Sequence, residues 1–177
     1  MTPPKMLLAC TPFLLMACAG TAQTSPQAPT AEAELQDSSG AVVGQAVVRE
    51  GADGLWLEVS ARGLTPGAHG LHVHAVGTCT APDFTSAGPH WNPSGHQHGR
   101  KNPAGAHAGD APNLIADAAG AGSLKTWLGS GTISTGAQAM LDSDGAAVVI
   151  HADPDDEMTD PSGKSGKRVI CGVLRKR

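Results

Sequence analysis

The sequence has no tyrosine, few other aromatic residues and little charge. Its 177 residues include two Phe and three Trp, and 16% are charged, with a net charge of −4 at pH 7. This charge excludes a basic nucleic-acid-binding protein and an acidic disordered chain. No apolar stretch reaches the roughly 20 residues of an ordinary membrane span. Any core must be aliphatic, and the four Cys and eight His stand out.

The first 18 residues have the pattern of an export signal. Lys5 precedes an apolar run over 6–17, interrupted only by one Thr and one Pro, and such a run of about 7–15 residues after a charged start is typical of a secretory signal. The sequence Leu-Met-Ala-Cys at 15–18 is similar to a bacterial lipobox, which favours lipidation of Cys18. The alternative is cleavage at Ala-Cys-Ala (17–19) by an ordinary signal peptidase, which would leave a soluble chain.

A small, polar segment with two prolines follows the signal over residues 19–31. It has too little apolar surface to order itself and is predicted to be a flexible linker. We therefore expect a signal peptide at 1–17, a linker at 18–31 and one folded domain at 32–177. The mature protein is expected in the periplasm or cell envelope, tethered to a membrane through Cys18, and could pair as a homodimer.

Two cysteines remain in the exported domain, Cys79 and Cys171. Because compartments outside the cytosol are oxidising, we expect a disulfide between them. It would close a loop of roughly 90 residues, worth about 4–5 kcal/mol in the chain-entropy model. The alternative is a pair of buried free thiols.

From residue 32 onward the pattern is that of short strands joined by turns. No segment has the apolar stripe of an amphipathic helix, so the sequence predicts an all-β sandwich or barrel. Two long stretches, 77–113 and 152–167, interrupt the strands, and loops of this length are usually functional or disordered. The predicted strands are 41–50, 55–61, 114–116, 123–128, 138–141, 145–150 and 168–173. The strands 114–116 and 123–128 are expected to form a hairpin, and 138–141 and 145–150 flank an Asp-Ser-Asp segment.

Seven residues with metal-ligand chemistry lie in and beside these loops. His72 and His74 are two apart on a strand, so both imidazoles face the same side and reach one ion. Three His and one Asp in the long loop could order it as a tetrahedral zinc site. A further His on a separate strand would complete a nitrogen-rich site suited to copper. The candidates are His72, His74, His90, His98, His107, Asp110 and His151.

Four motifs resemble the copper/zinc superoxide dismutases and occur in that family's order. The similarity runs from Leu35 to Leu174, and the residues between Cys79 and Ser86 look like the bacterial secreted branch. The resemblance implies a Greek-key β-barrel or sandwich of about eight antiparallel strands with two long functional loops. The motifs are Gly-Leu-His-Val-His (70–74), Ser-Ala-Gly-Pro-His-Trp-Asn-Pro (86–93), His-Ala-Gly-Asp (107–110) and Gly-Lys-Arg-Val-Ile-Cys-Gly (166–172).

The resemblance implies copper and zinc as cofactors and divides the ligands between them. His90 belongs to both sets, because a deprotonated imidazole has two nitrogens and can bridge two cations. His96 competes with His98, which is preferred because the family's ligand is followed by Gly. His69 and His96 are left to ordinary structural roles. The implied copper ligands are His72, His74, His90 and His151, and the implied zinc ligands are His90, His98, His107 and Asp110.

By the same resemblance the chain is an enzyme that converts superoxide to O2 and hydrogen peroxide by alternate reduction and reoxidation of copper. His90 would carry a proton between the two half-reactions. Asp155 would link a copper ligand to a zinc ligand, although the adjacent Asp156 could take its place. The rest of the acidic run at 153–160 is expected to be a solvated loop face.

The substrate is an anion, yet loss of the signal peptide removes Lys5 and no acidic residue, which makes the mature net charge −5. A local positive field must therefore overcome the global one. Lys164, Lys167 and Arg168 cluster just before Cys171, and the resemblance makes Arg168 the arginine of the active site.

Two other classes of protein stay open. A dismutase-like domain could store or deliver copper or zinc with little turnover, although such relatives usually lose a copper ligand or the arginine, and here all are present. A zinc hydrolase or lyase could use His72 and His74, but no Glu follows at the spacing of a His-Glu-x-x-His or cupin motif. The number of ligands is also too high for an open zinc site.

Overall fold

The fold consists of short strands, long loops and one helical turn. The computed structural model describes Met1 and residues 28–177, so the predicted signal peptide, Cys18 and most of the predicted linker lie outside the described residues. No helix within 28–177 is long and apolar enough to cross a membrane. The strands are β1 (Thr30–Asp37), β2 (Val42–Gly51), β3 (Gly54–Ala61), β4 (Gly67–His69), β5 (Leu71–His74), β6 (Leu114–Ala116), β7 (Gly122–Gly129), β8 (Ala147–His151), β9 (Arg168–Val173) and β10 (Arg175–Lys176), and a 3-10 turn spans Thr85–Ala87.

Seven strands form one sheet in the order β5-β8-β9-β1-β2-β3-β7, and the short β10 pairs with β1. All of these pairings are antiparallel. β4 and β6 form a separate two-stranded ribbon. Strands that are distant in the sequence are neighbours, as in β5 with β8 and β9 with β1. The prediction of an all-β antiparallel fold with two long loops is confirmed.

The core is aliphatic, as the shortage of aromatic residues predicts. Along β3, Leu55, Leu57 and Val59 are buried, and the side chains between them are only half-buried. This alternation follows from the period of two in a pleated strand. β8 differs because all five of its residues are buried. It lies between β5 and β9 and is covered on both faces.

The outer face of β8 packs against a disulfide. Val149 lies in a small buried cluster with Phe84 and both cysteines, apart from the main core. Cys79 and Cys171 are bonded across a sequence separation of 92 residues, which confirms the predicted pairing. Because Cys171 belongs to β9, the bond fastens the beginning of the long loop after β5 to the sheet.

We expect the double replacement of Cys79 and Cys171 by serine to lower the free energy of unfolding of the metal-free protein by about 4–5 kcal/mol, because the unfolded chain loses the cross-link that limits its freedom. Urea unfolding followed by tryptophan fluorescence measures this loss, with the reduced wild-type protein as a control. A loss below about 1 kcal/mol would contradict the prediction.

The predicted strand at 138–141 is wrong, because the chain between β7 and β8 is an irregular loop. Its one ladder contact is a single bridge between Thr132 and Ala139. Met140 and Ile133 are fully buried and fill the core from this loop. The N–H of Met140 donates to the carbonyl of Thr132 at 2.9 Å, so backbone groups that a strand would offer to a neighbour are satisfied inside the loop.

The strands predicted at 114–116 and 123–128 exist as β6 and β7, but they do not pair as a hairpin. β6 pairs with β4, and β7 pairs with β3. The Asp117 carboxylate accepts the N–H groups of Ala119 and Ala121 at 2.8 and 3.0 Å and turns the chain from the ribbon into the main sheet. β1 begins at Thr30, which is itself buried, two residues before the predicted domain boundary.

Candidate metal centre

The free edge of β5 brings the candidate ligands of the long loop to those of the sheet. β5 is the last strand on its side of the sheet, and its outer edge pairs with loop residues. Val73 donates its N–H to the carbonyl of Gly109 at 2.9 Å and accepts the N–H of Trp91 at 2.8 Å. A Cβ at Gly109 would overlap the Val73 carbonyl oxygen, so this approach requires glycine. The loop residues next to these contacts thereby lie beside His72 and His74.

Four buried histidines converge on one point. We call His72, His74, His90 and His151 the four-histidine cluster. One ring nitrogen of each lies within 4.8 Å of the others. Each ring also has a buried nitrogen without a hydrogen-bond partner, which is costly unless something binds it. Converging imidazole nitrogens are a donor set suited to copper. The unpartnered atoms are Nδ1 of His72 and Nε2 of His74, His90 and His151.

Backbone carbonyls hold the opposite nitrogens of two of these rings. His74 donates from Nδ1 to the carbonyl of Gly88 at 2.8 Å. His151 donates from Nδ1 to the carbonyl of Gly166 at 3.2 Å. A donated N–H fixes the tautomer, so the other nitrogen of each ring stays unprotonated and free to bind a metal.

Three histidine rings surround Oδ1 of Asp110. We call His90, His98, His107 and Asp110 the carboxylate cluster. The Asp110 oxygen lies 2.8 Å from Nδ1 of His90, 3.1 Å from Nδ1 of His98 and 3.4 Å from Nδ1 of His107. The Nδ1 atoms of His90 and His107 are 3.3 Å apart. Zinc–nitrogen and zinc–oxygen bonds of about 2.0–2.2 Å place neighbouring atoms of a tetrahedral site about 3.3 Å apart. The ligand types and these four separations are those of a tetrahedral zinc site.

His90 belongs to both clusters. Its Nδ1 faces Asp110, and its buried Nε2 has no partner. The rings of His72 and His90 are stacked with their centroids 3.9 Å apart. Ligand atoms of His72, His90, His98 and Asp110 lie within 4.8 Å of one another. One imidazole thus stands between two metal-binding groups, as a bridge between two cations requires.

Asp155 connects the two clusters from behind. One carboxylate oxygen accepts Nε2–H of His72 at 2.7 Å, and the other accepts Nε2–H of His98 at 3.0 Å. Asn113 holds the Asp155 backbone, because its amide donates to the Asp155 carbonyl at 2.9 Å and accepts the Asp155 N–H at 2.8 Å. The Asp156 carboxylate binds N–H groups of its own loop instead. Sequence reasoning missed Asn113, whose one signal is its place three residues after Asp110.

The two remaining histidines lie outside both clusters. His96 is exposed, and its Nδ1 contacts the Ala106 carbonyl at 3.1 Å. The structure therefore brings His98 to Asp110 and does not bring His96 there. His69 is buried, with Nδ1 2.7 Å from the carbonyl of His151 and Nε2 2.8 Å from that of Thr65.

Burial keeps three rings of the four-histidine cluster neutral. It lowers the pKa of His72 to about 4, of His74 to about 2 and of His151 to about 3. Neutral imidazole is the form that binds a metal. Burial acts in the same direction on His98, but the carboxylates of Asp110 and Asp155, 3.1 and 3.0 Å from its two ring nitrogens, outweigh it and raise the pKa of His98 to about 9. A metal binding at His98 therefore has to displace a proton.

Arg168 lies in a cavity of about 720 Å³ that opens onto the four-histidine cluster. Its guanidinium donates to the carbonyl of Phe84 at 2.8 Å and to that of Gly88 at 2.7 Å. The Gly88 carbonyl also accepts the N–H of His74. The arginine and one cluster histidine are therefore held by the same backbone oxygen.

The cavity has fewer positive charges than the sequence suggests. Among the described residues that line it, Arg168 is the one Lys or Arg, whereas Asp142 and Asp160 are acidic. Lys164 lies 3.7 Å from the Asp156 carboxylate and does not line the cavity, and neither does Lys167. Among the described residues that line the cavity, Arg168 is therefore the cationic side chain available to attract an anion.

Comparison with known proteins decides the family. The family description "Copper/zinc superoxide dismutase (SODC)" matches residues 39–174. The chain belongs to the copper/zinc superoxide dismutase family. "Superoxide dismutase [Cu-Zn] 2" of Aquifex aeolicus is 41% identical over 147 residues, which are 82% of this chain and 86% of that protein. "Superoxide dismutase [Cu-Zn]" of Caulobacter vibrioides is 40% identical over 149 residues, with the same coverages.

Solved structures agree with this family. A superoxide dismutase-like protein from Bacillus subtilis aligns with a TM-score of 0.78 and 39% identity, covering 81% of this chain and 97% of that one. The Cu/Zn superoxide dismutase from Brucella abortus aligns with a TM-score of 0.64 and 28% identity, covering 82% and 99%. The chain is therefore a superoxide dismutase, an oxidoreductase with copper and zinc as cofactors, as its motifs predict.

We expect Asp155→Asn to weaken zinc binding by this dismutase about 10–100-fold, because an outer carboxylate orients a ligand ring and raises its basicity. An amide at this position cannot accept protons from both His72 and His98. Competition with a chromogenic chelator measures the affinity. Asp156→Asn is the matched control and should change it by less than about threefold. Equal effects of the two substitutions would contradict the bridging role of Asp155.

Proposed function

We propose that this dismutase holds copper with the four-histidine cluster and zinc with the carboxylate cluster. The observation that carries the proposal is the set of buried, unpartnered nitrogens, above all Nε2 of His90, whose other nitrogen faces Asp110. Neutral rings with fixed tautomers favour the copper assignment, and three nitrogens around one carboxylate oxygen favour zinc. His90 would then be deprotonated and would bridge the two ions.

Copper, when bound, would supply two accessible oxidation states, so that one superoxide leaves as O2 after giving up its electron and a second takes that electron and two protons and leaves as hydrogen peroxide. The protein has to attract the anion, hold the ligand rings still and deliver a proton. Arg168 would attract superoxide and orient it beside His74 and His151. The carbonyl of Gly88 keeps the guanidinium and the His74 ring in fixed relative positions.

His90 would move one of the two protons. Its buried Nε2 would hold a proton between the two half-reactions and would return it in the second. A neutral imidazole gives up its N–H proton near neutral pH only when bound cations withdraw charge from the ring. Asp110 and Asp155 would hold the surrounding rings in place.

Cobalt(II) placed in the zinc position tests the bridge. The protein loaded with copper(II) and cobalt(II) should lose the copper electron-paramagnetic-resonance signal, because a shared imidazolate couples the two spins. The zinc-loaded protein should keep the signal, and His90→Ala should keep it with cobalt as well. An undiminished copper signal in the wild-type protein with both metals bound would overturn the His90 assignment.

We infer from residues 1–18 that the enzyme is exported and carries a lipid on Cys18, in the periplasm or cell envelope. Residues 18–29 precede β1, and a stretch of this length reaches at most about 40 Å when extended, so the domain would work close to the membrane. Pairing into a homodimer stays a prediction. Labelled palmitate fed to expressing cells should label the mature protein, and Cys18→Ser should remove the label. An unlabelled wild-type protein would contradict the anchor.

A further inference from the structure

We propose that Asp160 is a positioning residue of the zinc site, where its carboxylate orients the His107 ring and holds the backbone of His98. This inference rests on the proposed zinc assignment. It replaces the expectation that all of the acidic run except Asp155 is a solvated loop face. Asp160 lies in the second long loop, on the wall of the cavity that leads to the four-histidine cluster.

Each imidazole of the carboxylate cluster has a second ring nitrogen, and the partner of that nitrogen differs from ring to ring. If Nδ1 of each ring binds zinc, Nε2 of His90 is left for copper and Nε2 of His98 donates to Asp155. The third of these second nitrogens is Nε2 of His107. Among residues 28–177, one carboxylate oxygen lies within 4.0 Å of it, namely Oδ1 of Asp160 at 3.8 Å. A carboxylate behind a zinc-bound imidazole fixes its orientation and increases its basicity.

The same oxygen is fixed by a shorter contact. Oδ1 of Asp160 accepts the backbone N–H of His98 at 2.6 Å. The Asp160 carboxylate therefore contacts the backbone of one proposed zinc ligand, His98, and faces the ring of a second, His107. A separation of 3.8 Å is an ion-pair distance rather than a hydrogen bond, and zinc on Nδ1 would make the facing Nε2–H more positive and strengthen the attraction.

The loop before Asp160 is folded rather than extended into solvent. The Asp156 carboxylate accepts the N–H groups of Met158 and Thr159 at 2.9 and 2.7 Å. The Thr159 carbonyl accepts the N–H of Gly163 at 2.7 Å. These contacts close the chain on both sides of Asp160, so its carboxylate is presented to the zinc loop in a defined position.

The exposed fraction of the Asp160 side chain sets the expected loss of zinc affinity. The Asp160 side chain is 50% exposed and that of His107 is 9% exposed, so water screens the charge of the pair. We therefore expect Asp160→Asn to weaken zinc binding about 10-fold, the lower end of the range for outer carboxylates. Asparagine keeps an oxygen for the His98 N–H. Asp160→Ala removes that contact as well and should weaken zinc binding further.

The test compares Asp160→Asn with Asp142→Asn in the mature protein. Asp142 lines the same cavity, and its carboxylate accepts an N–H of its own loop, so the control removes the same charge without a contact to the carboxylate cluster. Zinc affinity is measured by competition with a chromogenic chelator. The visible absorption bands of cobalt(II) in the zinc position report ligand geometry, which a change in overall stability would not shift.

Asp160→Asn should lower the zinc affinity about 10-fold and shift the cobalt bands, whereas Asp142→Asn should leave the affinity within about twofold and the bands unchanged. Identical affinities and spectra for the two variants would overturn the role of Asp160 and leave the zinc assignment intact. A wild-type protein that binds no zinc would instead overturn the assignment itself.

Discussion

Alanine in place of His151 is expected to abolish dismutase activity while the protein keeps its zinc. His151 contributes one of the four nitrogens of the four-histidine cluster and none to the carboxylate cluster. Loss of an outer partner of a metal ligand already costs about 10–100-fold in metal affinity or activity, so loss of a ligand should cost more than about 100-fold. Elemental analysis of copper and zinc, together with the rate of superoxide consumption, measures both effects.

His96→Ala is the matched control, because it removes an exposed histidine from the loop that supplies His98 and His107. It should leave copper, zinc and activity at wild-type levels. A His151→Ala protein with full copper content and normal turnover would show that the four-histidine cluster is not the catalytic centre.

Charge reversal at Arg168 is expected to produce the second largest loss of dismutase activity. Arg168→Glu should lower kcat/KM by about 10–1000-fold, the range over which local fields change the association of charged substrates. It should leave copper bound, because the guanidinium donates to backbone carbonyls and does not contact a nitrogen of the four-histidine cluster that faces the metal. Initial rates at low superoxide concentration and several salt concentrations measure the effect.

Arg62→Glu makes the same change of net charge on an exposed side chain whose guanidinium donates to the Val42 carbonyl at 3.0 Å. It should change kcat/KM by less than about threefold, because this exposed charge is screened by salt and does not line the cavity that leads to the four-histidine cluster. Arg168→Lys keeps the charge but not both contacts to backbone carbonyls. Its kcat/KM should lie between those of Arg168→Glu and Arg62→Glu. A rate for Arg168→Glu that is unchanged and still depends on salt would remove the steering role.

The candidate ligands could be named from the sequence because side-chain chemistry identified them. Imidazoles two apart on a strand share a face, and a long loop without an apolar core needs something else to order it. Asp155, four residues after His151, was assigned through the resemblance to the family. The disulfide followed from the number of cysteines left after export. For the histidine ligands and the disulfide, an uncommon residue type carried the information.

Backbone contacts of the site could not be predicted. The Gly88 carbonyl holds both Arg168 and His74, and the Phe84 carbonyl holds the other side of the guanidinium, yet every residue has a carbonyl. Asn113 and Asp160 act through backbone N–H or C=O groups of residues far along the chain. Only the folded arrangement of the two long loops gives these ordinary groups a role.

Two strand predictions failed for a related reason. The segment 138–141 has the apolar content of a strand, but Met140 reaches the core from a loop whose backbone groups satisfy one another. β6 and β7 follow each other closely and still pair with different partners. Sequence periodicity indicates which side chains are buried and does not indicate which edge a strand will join.

The most direct test of the central claim is the rate at which the mature wild-type protein, loaded with copper and zinc, removes superoxide. Metal content and the decay of superoxide after stopped-flow mixing are measured on the same sample. The assignments made here predict equal amounts of copper and zinc and a decay far faster than in buffer, abolished by His151→Ala. A decay equal to that in buffer, with copper fully loaded, would contradict them and would favour a protein that stores or delivers the metal.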